Sequence, residues 1–314
     1  MITSLPAVRR AAAVLVTTGA LLTVSPLAAP AQAATAPTVT AKGAFMLNNA
    51  TGATVYSKGA DTKRQMASTT KIMTAAVVLS TTNLDLNRKV TVKQAYRDYV
   101  TAQGASTADL RTGDKVTVRQ LLYGTMLPSG CDAAYALADA FGTGTTLAAR
   151  KTNFISKMNA KASSLGLTNT KFDSFDGITT TGNNYTTPRD LAKLARYAMK
   201  NTNFRAVVKA PSYKSTATTS TGGTRTYTWY NTNKLLGSYS GATGIKTGTG
   251  STAGPCLVFS ATRGTKTLIG VVLNSTTVTE RYNDAGKMLN YGFGTSTTSS
   301  PMKLRTLPAG AQQD

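Results

Sequence analysis

Three short segments hold the residues whose types and spacing could do chemistry: Ser68-Thr69-Thr70-Lys71, Ser129-Gly130-Cys131 and Lys246-Thr247-Gly248. Each alone is a weak signal, because such triplets arise by chance in a chain rich in Ser, Thr and Lys. Ser68 and Lys71 stand at i and i+3. On a helix that spacing puts the hydroxyl and the amine on one face. A serine hydroxyl needs a base before it attacks, and a lysine amine serves if it is neutral. Burial or a nearby cation lowers a lysine pKa, and Lys246 is a candidate for that cation. A serine at a helix N-terminus also turns its own N–H, and the helix dipole, toward developing negative charge.

What is missing narrows the chemistry further. The 314 residues include no histidine. That excludes Ser-His-Asp triads, Cys-His dyads and histidine metal sites, and no metal or cofactor is expected. Glu280 is the only glutamate, so a glycosidase built on a Glu pair is ruled out. Asp173 and Asp176 have Ser174 and Gly177 around them and read as a turn, not a carboxylate pair. Asp132 and Asp190 fall in first turns of predicted helices, where a carboxylate suits the dipole. Tyr227, Trp229 and Tyr230 read as packing residues. Cys131 and Cys256 are too few for a disulfide framework. Cys131 leaves three roles open: nucleophile, half of a bridge to Cys256, or a small packing residue. As a nucleophile it lacks a histidine partner. As half of a bridge it needs Cys256 within ~7 Å between Cα atoms, which sequence does not establish.

The elements that must position these residues follow from periodicity. Ala44–Asn48 and Thr54–Ser57 form a hairpin. Met66–Leu79 is a helix with Ser68 in its first turn. Residues 90–200 are mostly helical, with helices at Val118–Met126, Cys131–Ala140, Thr145–Leu165 and Pro188–Met199, the last capped by Thr187. Val207–Tyr230 has β character, Ala242–Gly248 is a strand, and Pro255–Thr262 with Lys266–Asn274 is an apolar hairpin. Thr277–Phe293 closes the domain as a helix, and 294–314 reads as a disordered tail. This order implies an α/β fold. An antiparallel sheet flanked by helices is built from 34–89 and 201–293, with an all-helical domain, 90–200, inserted.

The N-terminus adds a location. Arg9-Arg10, the apolar run Ala11–Leu22 and Ala31-Gln32-Ala33 make a signal peptide cleaved near Ala33. The run is shorter than the ~20 apolar residues a membrane span needs. A secreted or extracytoplasmic protein is expected, at the cell wall or the outer face of the membrane. The net charge of +22 favours polyanionic surroundings. Its lysines and arginines are scattered, which fits a basic surface facing an anionic cell wall and not a nucleic-acid readout patch.

In order and setting, the three segments resemble the serine D-Ala-D-Ala carboxypeptidase/transpeptidase family, the small penicillin-binding proteins. Further signatures are "GDKVTVRQLLYGTMLPSG" from Gly113, "FDSFDGI" from Phe172, "YTTPRDLAKLA" from Tyr185 and "NTNKLL" from Asn231. The likeness spans roughly 41–293. It implies a β-lactamase/transpeptidase-like fold with the active site between sheet and helical insert. It makes Ser68 the acylated nucleophile, Lys71 its proton acceptor and Ser129 a proton relay. Lys246 and Thr247 would hold the substrate's terminal carboxylate, with Gly248, Thr249 and Cys131 completing the substrate-binding set. The N–H groups of Ser68 and Thr249 would form the oxyanion hole. Implied partners are peptidoglycan stem peptides ending in D-Ala-D-Ala, and β-lactams as inhibitors, for a monomer. Cys131 stands where most members have asparagine, which is similar to a Ser-Gly-Cys subtype noted for transpeptidation. Two other readings compete. A class A β-lactamase needs a glutamate beyond the second segment, and no carboxylate lies between Asp139 and Asp173. A non-catalytic β-lactam sensor or wall-binding module would be expected to lose a motif residue, and none is lost.

Overall fold

The central sheet draws its strands from both ends of the chain. The computed structural model describes residues 1–5, 7, 12–13, 35–179, 181–295 and 302–313. The chain divides into two units, Met1–Ala34 and Thr35–Asp314. In the first unit, most of the expected leader and its cleavage site near Ala33 lie outside the described residues. The second unit holds every element below.

It runs β1 (Gly43–Asn48), β2 (Thr54–Lys58), β3 (Arg64–Gln65), a 3-10 turn (Ala67–Thr70) and α1 (Lys71–Leu79). Next come β4 (Lys89–Thr91), α2 (Gln94–Gln103), β5 (Lys115–Thr117), α3 (Val118–Met126), α4 (Cys131–Phe141) and α5 (Leu147–Ser164). Then follow β6 (Tyr185–Thr186), α6 (Pro188–Ala198), α7 (Thr202–Lys209), β7 (Ser212–Thr218) and β8 (Thr224–Tyr230). The last elements are β9 (Ala242–Gly248), β10 (Cys256–Arg263), β11 (Lys266–Leu273) and α8 (Glu280–Phe293).

The main sheet has the order β2-β1-β11-β10-β9, antiparallel throughout. Its strands alternate faces with period 2. Leu257, Phe259, Leu268 and Val272 pack with Tyr282, Met288 and Leu289 of α8. Val258, Ile269, Val271 and Leu273 join the other core, with Ile72 and Met73 of α1 and Leu191 and Leu194 of α6. Both faces are therefore buried, which is why β10 and β11 read as nearly continuous apolar runs. Each such side chain contributes about 1.5–3 kcal/mol by leaving water. α1 is buried from Lys71 to Val78, as befits a helix covered on every side. It is the fixed post on which Lys71 stands.

The sequence expectation of an antiparallel sheet flanked by helices holds. Three details differ. The insert is not all-helical, because β4 and β5 continue into a second sheet of order β4-β5-β7-β8. The β7–β8 hairpin thus pairs with the helical region, and residue 201 does not separate two bodies. The polar, three-residue strands β4 and β5 give too little periodicity to be read. α7 was hidden by the β-branched run around Val207; the Asn201 side chain caps it by accepting from Asn203 N and Phe204 N. The segment 302–313, expected to be disordered, lies on the body. Met302 N donates to Asn283 Oδ1 at 3.1 Å, Arg305 N donates to Ser238 Oγ at 2.8 Å, and Leu307 is buried. Three apolar side chains spaced through a polar stretch suffice to dock it, and composition averages them away.

The helical side is tied by Asp139 at the end of α4. Its carboxylate is nearly buried and receives Lys93 Nζ at 2.6 Å, Arg150 Nε and Tyr96 Oη. Burial pushes its pKa up, but the bonds from Lys93, Tyr96 and Arg150 outweigh that, and the net shift is downward. A carboxyl depressed on folding stabilises above its unfolded pKa and loses that contribution as pH falls through the folded value. Asp139→Asn is therefore expected to cost roughly 2–4 kcal/mol at pH 7. The difference from wild type should shrink as pH falls through the depressed carboxyl pKa, and denaturant titrations at neutral and at acid pH check it.

Candidate active site

Ser68, the candidate nucleophile, sits where the 3-10 turn meets α1. Ser68 is partly exposed, and Lys71, three residues on, is fully buried beneath it. The tight turn brings Lys71 Nζ to 3.0 Å from Ser68 Oγ. Nζ also lies 3.4 Å from Ser129 Oγ and 3.3 Å from Cys131 Sγ, and it donates to the Asp176 carbonyl at 3.1 Å. The first two segments of the sequence thus meet around one nitrogen.

The backbone is forced to achieve this. Ala67, just before Ser68, has φ +46°, and Ser129 has φ +65°. Non-glycine residues pay about 1–3 kcal/mol each for such conformations, and they persist only where the surroundings over-determine them. At Ser129 the surroundings are specific. Ser106 Oγ donates to Ser129 O at 2.7 Å, Cys131 N donates to Ser106 O at 2.9 Å, and Gly130 N donates to Gly124 O at 3.0 Å. Asp132 then fastens the neighbouring loop: its buried carboxylate accepts from Thr107 Oγ1, Ala108 N and Leu110 N at 2.8–2.9 Å. Its place in the first turn of α4 was expected; its role as a loop anchor was not.

The third segment arrives on β9. Lys246 and Thr247 are buried, and Thr249 is exposed at the strand's end. Lys246 Nζ donates to Thr247 O at 3.0 Å. Gly248 lies flush against the turn that carries Ser68: a Cβ there would stand 3.0 Å from Ser68 N and Thr69 N, and 3.2 Å from Met66 O. That close approach, of backbone on backbone, is what the glycine of this segment permits. Two residues overlooked in the sequence brace the strand. Thr232, in "NTNKLL", shares a 2.7 Å hydrogen bond with Thr247 Oγ1, and its N–H donates to Leu127 O at 3.1 Å, so it joins β9 to the end of α3. Arg281 of α8, almost fully buried, donates through Nη1 to Thr249 Oγ1 at 3.0 Å and Gly248 O at 3.4 Å. Thr232 had a signal, the motif around it; Arg281 had none.

Together these elements wall a cleft of about 800 Å³. Ser68, Cys131, Gly177 and Thr249 line it, with Gln313 from the docked C-terminal segment. Among its described lining residues none is acidic. Cys131 and Cys256 form no disulfide. Burial first, then the charge of Asp176, pushes the Cys131 thiol pKa up to about 12 against the opposing pull of Lys71. It remains a thiol at neutral pH and packs against Lys71. Tyr227 and Trp229 prove to be packing residues, as expected: Trp229 Nε1 donates to Ala108 O at 2.8 Å and Tyr227 Oη to Asp114 Oδ2 at 2.6 Å. No group of His, Cys, Asp and Glu among the described residues could hold a metal ion.

A serine held over a buried lysine, on a sheet edge that ends in a Lys-Thr-Gly strand, defines a serine acyl-transfer enzyme of the β-lactamase/transpeptidase-like fold. Comparison with known proteins agrees. The sequence model of the peptidase S11 family, D-alanyl-D-alanine carboxypeptidase, matches residues 30–277. The D-alanyl-D-alanine carboxypeptidase of Streptomyces sp. (strain K15) is 60% identical over 287 residues, 91% of this chain and 98% of that one. The crystal structure of the Streptomyces K15 DD-transpeptidase superposes with a TM-score of 0.82 at 61% identity, covering 83% of this chain and all of that one. The D-alanyl-D-alanine carboxypeptidase of Mycobacterium tuberculosis H37Rv gives a TM-score of 0.74 at 28% identity, over 85% of this chain and 96% of that one. The chain belongs to the S11 family of serine D-Ala-D-Ala peptidases.

Two outcomes test the geometry. The folded protein should leave Cys131 unmodified by iodoacetamide at pH 8, because a thiol titrating near 12 and lacking solvent contact offers almost no thiolate; rapid native labelling would contradict this. Gly248→Ala should push Ser68 and Thr69 aside at a cost of about 1–3 kcal/mol. Penicillin acylation should fall by roughly tenfold or more, read by stopped incubation with a fluorescent penicillin.

Proposed function

We propose that this chain cleaves the terminal D-Ala-D-Ala bond of peptidoglycan stem peptides through an acyl-enzyme on Ser68. Lys71 Nζ takes the hydroxyl proton. The observation that carries the reading is the position of Nζ, 3.0 Å from Ser68 Oγ and 3.4 Å from Ser129 Oγ. From there the proton passes through Ser129 to the departing D-alanine amine. Lys246 and Thr247 hold the substrate's terminal carboxylate. The N–H groups of Ser68 and Thr249 face the developing oxyanion, and the contact of Gly248 with Ser68 N supports their convergence. Water resolves the acyl-enzyme to the shortened peptide; an amine resolves it to a cross-link.

A β-lactam acylates the same serine, but its leaving group stays tethered. The described cleft lining holds no carboxylate to activate a deacylating water, which favours a persistent penicilloyl-enzyme over penicillin hydrolysis. The strongly basic composition suits an anionic cell wall outside the cytoplasm. No helix among the described residues is long and apolar enough to cross a membrane. A monomer without cofactor meets every requirement of this chemistry, and no nucleic acid enters it.

The test offers the purified protein a D-Ala-D-Ala-ended peptide with and without an amine acceptor, following free D-alanine and the transfer product. Both products should form, and Ser68→Ala should lower them by at least roughly 10³-fold. Turnover retained in that variant, or sustained hydrolysis of nitrocefin beyond one equivalent, would contradict the proposal.

A further inference from the structure

By its sequence, Asp173–Gly177 reads as a turn inside the signature that begins at Phe172. In the structure this turn reaches the reacting groups from two sides. The Asp176 carbonyl accepts from Lys71 Nζ at 3.1 Å. Gly177, at φ +102°, lies so close to the nucleophile that a Cβ there would come within 2.0 Å of Ala67 O and 2.9 Å of Ser68 N. The turn's position therefore sets both the aim of the base and the seat of the serine.

What sets the turn is its own carboxylate. Asp176 is fully buried, and a carboxylate out of water must be met by donors. Three meet it: Ser174 Oγ at 3.0 Å, Ile178 N at 3.0 Å and Tyr99 Oη at 2.9 Å. The first two are local to the turn. The third comes from α2, 77 residues away in sequence. Tyr99 has little freedom of its own, since its ring packs edge-on against Tyr135 at 5.3 Å and tilted against Phe175 at 5.6 Å. Burial, with the charge of Asp176 beside it, raises the phenol's pKa, so the hydroxyl stays a donor throughout the working range. At the C-terminal end of the same helix, Gln103, Gly104 and Ala105 line the cleft.

We propose that Tyr99 and Asp176 act as a positioning couple for acylation. The hydroxyl fixes the carboxylate, the carboxylate fixes the turn, and the turn holds Lys71 Nζ and Ser68 N in register. Neither residue touches substrate. The inference rests on Ser68 and Lys71 being nucleophile and base. Releasing the carbonyl leaves Nζ with its three side-chain neighbours, Ser68, Ser129 and Cys131, which do not fix its direction. Misplacement by about 1 Å is enough to cost on the order of 10² in rate.

The test uses the full chain as Tyr99→Phe, Asp176→Asn and the double variant. Acylation rate against penicillin concentration separates the chemical constant k2 from the binding constant K. Tyr99→Phe keeps the ring and should lower k2 roughly tenfold, and Asp176→Asn roughly 10- to 100-fold, with K within about twofold of wild type. The double variant should be no slower than Asp176→Asn alone, because both act through one turn. An unchanged k2 in Tyr99→Phe would overturn the proposal. So would losses that multiply in the double variant, or a rise in K with k2 intact, which would mark a substrate contact. Should Asp176→Asn fail to fold, Tyr99→Phe decides alone. Peptide mapping of the wild type keeps the two readings apart: no penicilloyl group on Ser68 sinks the nucleophile assignment, whereas its presence with an unmoved k2 sinks only the couple.

Discussion

One buried nitrogen organises this molecule. Lys71 Nζ is removed from water entirely, and a polar group in that position costs several kcal/mol unless it is given partners. It has four, and they come from three separate parts of the chain: the turn at Ser68, the start of α4 at Ser129 and Cys131, and the turn at Asp176. A shift of any of these segments takes at least one partner from the amine. The arrangement that makes Lys71 expensive to bury is also the one that aims it at Ser68 Oγ.

The rest of the architecture serves that convergence. α1 is apolar on every side, so it anchors Lys71 in the main core and not at a surface where the side chain would swing. The sheet brings β9 against the turn that carries Ser68, and Gly248 removes the one side chain that would hold them apart. Thr232 and Arg281 then lock the strand from the helical side and from α8. The strained conformations at Ala67 and Ser129 survive because packed neighbours on both sides leave no relaxed alternative. Rigid support around a reacting pair is what converts a weak nucleophile into an effective one.

Much of this was legible in the sequence, and the pattern of what was not is informative. Ser68, Lys71, Ser129 and Gly248, which the fold brings together, could be picked out with Lys246 and Thr247 because acyl-transfer chemistry restricts both residue type and spacing. The long apolar strands and α8 were legible because burial on both faces writes a strong hydrophobic pattern. Residues that act through their backbone or through another residue left little trace. Asp176 looked like a turn residue because it is one; its carbonyl reaches Lys71 only through the tertiary fold. Arg281 sits in an ordinary helix, and its importance depends on which strand lies beneath it. The short strands β4 and β5, and the docked segment 302–313, were missed because three-residue patterns vanish in an average. Of the roles open to Cys131, the bridge to Cys256 is not formed; its thiol is buried at the cleft, 3.3 Å from Lys71 Nζ, and stays protonated at neutral pH.

In the proposed reaction the amine of Lys71, and not merely the presence of Ser68, makes this site react. The most direct measurement compares wild type with Lys71→Met by intact mass after exposure to penicillin at neutral pH, with far-UV circular dichroism confirming that both are folded. Acylation of the variant is expected to slow by at least roughly 10³-fold, with the folded spectrum retained. A folded Lys71→Met protein that acquires the penicilloyl mass at the wild-type rate would show that Ser68 is activated by some other group, and the account given for the cleft would be wrong.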